Sequence, residues 1–500
     1  MSSQRSSLLP GGAWKVLGLL LLGMGLTACP GDPDGGMDAG TEVDAGESFD
    51  AGETVDGGAP VQTLMEAALL WDVDVQQRFL VAQEAGGGMV VQDLASGEVR
   101  TVAPPVEGLR FTADGSALLL WSAQAEGLRS AWLWRPGDSQ AFLLSDHMQG
   151  YILMQEHGER YLSFIEQTPE GDSDVRVVDL DGCTAQACSK RTLLRVLEGV
   201  PALHAGARYL WAWQGERTWI IDLVLGTVQD LGMPRSQLRI SPAGSRFGVL
   251  TPKQNVQVYD TATGAQLWEV PVEGTWVSLS ASFFNEDTVT VNVRGVQGPY
   301  ESFPPVRSFS CTARGCTTLS WAKTCETFAT RTQPLLFCSG VDCFGVRCSA
   351  SYTLLKGAGE ELANGGFIDT LPAVSDDLRT SVWMTYSYIV DRERRTLSWA
   401  PHDAGGSSGV LRYPGQISVN LFEFIPGEQR FVFLNPKQTP VGATEYFVSV
   451  WDGKTLQEVA PIASPHVRHV VRGQPAALYM NETVTDPDGT SRVRIRRFAL

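Results

Sequence analysis

Six segments of this chain repeat one phrase: a strand-like run closing on a polar turn, usually at Asp, followed by a second run. They are MVVQDLASGEVRTV (89–102), VRVVDLDGCTAQACS (175–189), TWIIDLVLGTVQDL (218–231), VQVYDTATGAQLWEV (256–270), YIVDRERRTLSW (388–399) and FVSVWDGKTLQEV (447–459). An Asp carboxylate there accepts turn N–H groups, and a Gly in the turn supplies positive φ for the return. Asp179, Asp222 and Asp260 follow one another at intervals of roughly 40 residues. A second phrase, a turn feeding a strand, recurs in FTADGSALLLW (111–121), ISPAGSRFGVL (240–250), VSDDLRTSVW (374–383) and FIPGEQRFVFL (424–434). From about Thr63 to Leu500 short apolar runs alternate with Gly, Pro, Asn and Asp clusters, and no long stretch keeps a helical period. The best helical candidate, Gly359 to Asn364, is one or two turns. The body of the chain is therefore expected to be all-β.

Repeats of this length holding about four strands resemble β-propeller blades over most of residues 63–500. VYDTATGAQLWEV is similar to the repeat of quinoprotein-type propellers, in which Asp260, Thr263, Gly264 and Trp268 would hold the turn and dock a Trp between blades. Asp93 with Gly97 lacks the Trp, and Asp222 with Gly226 lacks both Thr and Trp. FTADG and ISPAG resemble the turns of WD-repeat and TolB-like propellers. The resemblance implies a propeller of seven or eight blades over 63–500, with insertions carrying Cys hairpins. It also implies closure through an N-terminal strand, placing Ala67 to Val75 beside Val493 to Leu500. The alternative is two β-sandwiches joined near residues 320–350.

The N-terminus sets an address. Arg5 and Lys15 precede an apolar run from Val16 to Leu26, too short for a hydrocarbon core that needs about 20 residues. Residues 1–28 are expected to be a signal peptide. Leu26-Thr27-Ala28-Cys29 resembles the lipobox of bacterial lipoproteins, which implies a diacylglyceryl group on Cys29 and attachment to the envelope by lipid. Pro30 after the Cys resembles the pattern sorted to the outer membrane. Residues 29–62 form an expected linker: from Pro30 to Pro60 it carries nine acids and no base, with Met37, Val43, Phe49 and Val55 as its spaced apolar residues. A calcium-binding Asp/Gly repeat is the competing view, and the six-residue period does not match the nine-residue form.

Export to an oxidising space favours disulfides among the eight cysteines after Cys29. Cys183 with Cys188 and Cys311 with Cys316 are expected to bridge hairpins. The last four pair either as Cys325 with Cys338 and Cys343 with Cys348, or as Cys338 with Cys343 and Cys325 with Cys348. A four-Cys zinc site is the rival explanation.

The chain carries a formal net charge of −17 and no basic stripe, which argues against nucleic acid. Gly405-Gly406-Ser407-Ser408-Gly409 matches the nucleophile-elbow pattern but has loop-like flanks and no following helix. His466 and His469, three apart, would point to opposite faces of a strand. His147, His157, His204 and His402 are isolated, and Asp486-Pro487-Asp488-Gly489 is a hairpin turn rather than a calcium loop. Trp132 with Trp134, and Trp211 with Trp213, share a side of their strands and suit core packing between blades, or sugar stacking. No cofactor or metal is expected. The function expected is a noncatalytic scaffold at the cell envelope, tethered to the membrane by lipid and binding an envelope protein or glycan. The alternative is a propeller enzyme, a quinone-cofactor dehydrogenase or a hydrolase; the former resemblance lacks its adjacent Cys-Cys pair, the latter a convergent His and carboxylate set.

Overall fold

Short β-branched and aromatic runs bounded by turn residues fold here into short antiparallel strands, most joined by hairpins. The structure is a computed structural model. It describes residues 61–500 except 125–126, 155–159, 185–187, 198, 206–207, 236–237, 252, 275–277, 296–305, 322, 330–332, 345–346, 357–359, 367–371, 390–391, 403–408, 415–422, 440–443 and 464. Cys29 and its lipobox, the acidic segment to Pro60, His157 and most of the Gly-Gly-Ser-Ser-Gly stretch lie outside the described residues.

The described residues form nine antiparallel sheets and no α-helix, an all-β architecture consistent with a β-propeller. In chain order, sheet 1 spans residues 68–103, sheet 2 108–196, sheet 3 202–230, sheet 4 238–271, sheet 5 278–321, sheet 6 323–366, sheet 7 373–414 and sheet 8 423–462. Sheet 9 joins three C-terminal strands to the first strand of the chain. All have four strands except sheet 2, which has seven. Its middle strand, Phe142–Met154, pairs with Leu128–Trp134 through its first part and with Tyr161–Gln167 through its second. Sheet 2 is thus two four-stranded units sharing one long strand. The described residues therefore form nine sheets where seven or eight blades are expected, and sheet 3 completes four strands within residues 202–230.

Sheet 9 corrects another expectation. Val61–Glu66, not Ala67 to Val75, pairs with Ser491–Ala499, from Val61 opposite Phe498 to Glu66 opposite Arg494. Ala67 then turns the chain with φ of 53°, and Ala68–Val73 opens sheet 1. Residues 67–75 therefore hold the turn and the first strand of sheet 1, and the left-handed Ala67 ahead of that strand leaves no Gly signal. Gly359 to Asn364 also departs from expectation: Glu360–Gly366 is a strand paired with Arg347–Lys356, a run too short for its period to separate helix from strand.

Each buried cluster is shared by two units that are neighbours in this order. Sheets 9 and 1 share Tyr479 and Ile495 with Leu70 and Leu80. The two halves of sheet 2 share Leu133 with Phe164, sheets 3 and 4 share Trp211 with Phe247, and sheets 8 and 9 share Val448 with Phe498. The six remaining neighbour pairs are joined in the same way. Alternating strands thus bury both faces of most sheets, each face against a different neighbour.

Disulfides join Cys183 to Cys188, Cys311 to Cys316 and Cys325 to Cys338, with Cα separations of 4.2, 4.0 and 3.9 Å. Cys343 and Cys348 stand opposite each other in the register of Pro334–Phe344 and Arg347–Lys356.

Candidate functional site

The first strands of successive units approach one another. Ala68–Val73 lies against both Pro465–Arg472 and Gly108–Phe111, and Phe142–Met154 lies against Ala202–Ala205. Leu238–Ile240 lies against Ser278–Asn285, which lies against Lys323–Ala329, and Ala373–Val374 lies against Glu423–Phe424. Fourth strands such as Val228–Asp230 and Gln266–Pro271 are mostly exposed. Side chains of several sheets therefore converge along the first-strand edge, which makes it the candidate site.

Polar side chains stitch this edge. Arg472 of sheet 9 donates from Nε to the Val73 carbonyl at 2.9 Å and from Nη2 to Asp72 Oδ1 at 2.8 Å. Burial raises the Asp72 carboxyl above its ordinary value despite the Arg472 charge. Leu70 N–H donates to Asn481 Oδ1 at 2.9 Å. Between sheets 5 and 6, Asn292 accepts from Cys325 N–H at 2.9 Å and donates to its carbonyl at 2.8 Å. An amide suits this place because it carries both a donor and an acceptor to match a strand's free backbone pair.

Beyond the stitching, the edge offers cations on aromatic rings. The Arg468 guanidinium lies 3.7 Å from the centroid of Trp71, and burial lowers its pKa from the usual arginine value. His469 Nε2 lies 3.9 Å from Glu423 Oε2. Where sheet 3 gives way to sheet 4, the Arg235 guanidinium lies 5.1 Å from the centroid of Trp213. Arg235 Nη1 and Arg239 Nη1 both donate to the Leu238 carbonyl, at 2.5 and 2.7 Å, and Arg239 Nε donates to Ala281 O at 2.6 Å.

The recurring aspartates sit elsewhere, at the ends of third strands. Asp93 Oδ1 accepts from Ala95 and Ser96 N–H groups at 2.9 and 2.8 Å. Asp222 Oδ1 accepts from Val224 and Leu225 N–H groups at 2.9 and 3.0 Å. Asp260 Oδ1 takes Thr263 N–H and Oγ1, both at 2.8 Å, while Gly264 turns with φ of 68°. Asp179 accepts Arg160 through both oxygens, at 2.9 and 2.7 Å, and Asp181 N–H at 3.2 Å. These bonds hold all four carboxyls below the usual carboxylate range: the Ser96 N–H is the largest influence at Asp93, Arg160 at Asp179 and Thr263 at Asp260. At Asp222 burial, the largest influence, opposes ionisation, and Arg208 with two backbone N–H groups outweighs it. Ionised, fully engaged acceptors of this kind serve turns. Trp268 packs against the cluster between sheets 4 and 5.

A companion signal in the sequence is the Arg-aromatic pair that starts many second strands: Arg78-Phe79, Arg160-Tyr161, Arg208-Tyr209, Arg246-Phe247 and Arg430-Phe431. Tyr161 faces Asp179 and Tyr209 faces Asp222 in the strand register, so each preceding Arg reaches the Asp. The first-to-second-strand turns also have copies without Gly: Asp74 accepts from Arg78 and Phe79 N–H groups, and Gln77 and Leu378 stand where Gly115 and Gly244 stand in two others, with φ of 55° and 58°. Trp134 and Trp211 are buried in clusters between units, with Trp132 and Trp213 packed against them. Asp486 to Gly489 form the hairpin turn. Among the described residues no group of three His, Cys, Asp or Glu is placed to hold a metal.

No known protein family matches the sequence, and no curated protein matches it. Solved structures similar to it include a eukaryotic initiation factor at 10% identity, covering 79% of this chain and 89% of that one with a TM-score of 0.42. The dihydro-heme d1 dehydrogenase NirN in complex with DHE is similar at 9% identity over 69% of this chain and 75% of that one, TM-score 0.35. Dipeptidyl peptidase 4 of Porphyromonas gingivalis is similar at 11% identity over 86% of this chain and 66% of that one, TM-score 0.41.

Proposed function

We propose that this chain is a lipid-anchored β-propeller of the cell envelope that binds an envelope protein or glycan without catalysis, through the first-strand edge of its sheets. The reading takes sheet 2 as two units, giving ten four-stranded blades closed into a ring by Val61–Glu66 beside Ser491–Ala499. Its support is that every neighbouring pair of units shares a buried cluster, including the last and the first. The anchor in this reading is Cys29, the tether is the acidic segment after it, and the outer membrane is the site of attachment.

The observation that carries a binding role is the division of labour among polar groups. The recurring carboxylates are spent on turns and arginine pairs, whereas the first-strand edge gathers aromatic rings and cations from different sheets, Trp71 with Arg468 and Trp213 with Arg235. Rigid aromatic and arginine side chains of this kind dominate binding surfaces. Two variants test the two halves of the proposal. Cys29→Ala is expected to leave the membrane fraction, and a variant that sediments like wild type overturns the anchor. Trp71→Ala with Arg468→Gln is expected to lose the partner captured by cross-linking in intact envelopes; capture of the same partner at wild-type yield overturns the edge as binding face.

A further inference from the structure

We propose that Arg235 and Arg239, beside the ring of Trp213, form a corner that binds an oxyanion, the carboxylate or phosphate group of a ligand. The proposal rests on the first-strand edge being the binding face and adds the chemistry of what one part of it takes. The two guanidinium groups donate to the same Leu238 carbonyl, at 2.5 and 2.7 Å, so two positive charges are held side by side. Arg235 Nε is buried without an acceptor among the described residues, and no carboxylate there pairs with Arg235. Several other partly buried arginines meet a carboxylate, although Arg135 also meets only carbonyls, those of Cys183 and Leu180. Arg176 has Glu166 at 2.9 Å, Arg472 has Asp72 at 2.8 Å, and Arg494 and Arg496 have Glu482 at 2.7 and 3.0 Å.

A carbonyl supplies a dipole but no charge, and a desolvated guanidinium is stabilised best by an oxyanion that meets two of its N–H groups. Burial lowers the pKa of both arginines from the usual value, and at Arg235 the charge of Arg239 adds to it. An arriving anion relieves both costs at once. In a chain of formal charge −17, two adjacent cations without a carboxylate on Arg235 stand out as a place kept for a ligand's charge. The Trp213 ring fixes the plane of the Arg235 fork from one side.

The test is calorimetric titration of the full-length, detergent-solubilised protein with inorganic phosphate and, separately, glucuronate at constant ionic strength held with chloride. Saturable binding of at least one is expected, weakened at least about tenfold in Arg235→Gln and in Arg239→Gln and unchanged in Arg100→Gln, an exposed arginine paired with Glu98 on a fourth strand. Preference for phosphate points to a phosphorylated ligand, and preference for glucuronate to an acidic sugar. Arg235→Lys keeps the charge and loses the fork, so a several-fold loss is expected even if the Gln variants fold poorly. Absence of saturable binding by either anion, or wild-type affinity in Arg235→Gln or Arg235→Lys, overturns the corner. Loss of the corner alone leaves the envelope cross-linking result for Trp71 and Arg468 intact, whereas failure of that result with anion binding retained removes the wider binding face.

Discussion

The indole rings of Trp399 and Trp451 meet edge to face, centroids 5.4 Å apart and planes at 64°, and a glycine from the facing sheet receives each ring. Gly409 of sheet 7 lies under Trp451, where an added Cβ would stand 2.8 Å from the ring and 2.2 Å from the Gly453 carbonyl oxygen. Gly453 of sheet 8 lies under Trp399, where a Cβ would stand 2.5 Å from Nε1, and it turns with φ of 88°. Sheets 7 and 8 can approach this closely only where both side chains are missing.

Gly409→Ala is therefore expected to lower the unfolding free energy by about 1–3 kcal/mol, the usual cost of overpacking a filled core. Gly427 is the control: it turns with φ of 77°, has nothing within 4 Å of an added Cβ, and should accept Asn with a smaller loss. Urea midpoints compare the two. Equal midpoints for Gly409→Ala and wild type would show that the seam is looser than the two rings require.

Acid should weaken the junction of sheets 8 and 9 through Glu482. This side chain is 1% exposed, and its carboxylate accepts Ala463 N–H at 2.8 Å, Arg494 Nε at 2.7 Å and Arg496 Nη1 at 3.0 Å. Burial, the largest influence, opposes ionisation, but these donors outweigh it and hold the carboxyl below the ordinary glutamate value of 4.5. A carboxyl depressed in the folded state contributes stability that is complete above its unfolded value and is lost as pH falls through the folded one. Glu482→Gln should thus be clearly less stable than wild type at about pH 7, with the gap narrowing below about pH 4. Denaturant unfolding at a series of pH values reads this, and a constant gap would remove Glu482 from the acid response.

Reduction should expose the value of the hairpin disulfides. On the chain-entropy estimate the six-residue loop of Cys311 and Cys316 contributes about 2 kcal/mol, and the longer loop of Cys325 and Cys338 about 3 kcal/mol. Paired Ser variants should shift the urea midpoint in that order. Peptide mapping without reduction should find Cys343 linked to Cys348, as their opposed register suggests, and a free thiol at either position would contradict that pairing.

Local chemistry made much of this molecule legible beforehand. Asp93, Asp222 and Asp260 hold their turns as their residue type and Gly spacing imply, because an Asx turn is made by residues next to one another in the chain. Cys311 and Cys316 pair for the same reason, being neighbours across one tight hairpin. The strand Val61–Glu66 was less legible, since Ala67 adopts positive φ without a Gly to announce it.

The sequence by itself determined short antiparallel strands, most of their turns and the Cys183–Cys188 and Cys311–Cys316 cross-links, all set by residues within a few positions of each other. Only the tertiary structure decided that Val61–Glu66 lies beside Ser491–Ala499, that Asn481 answers Leu70, and that Arg235 and Arg239 share the Leu238 carbonyl. These contacts depend on the order and approach of whole sheets, and that is fixed by buried clusters between neighbours, where many different apolar side chains fill the same space.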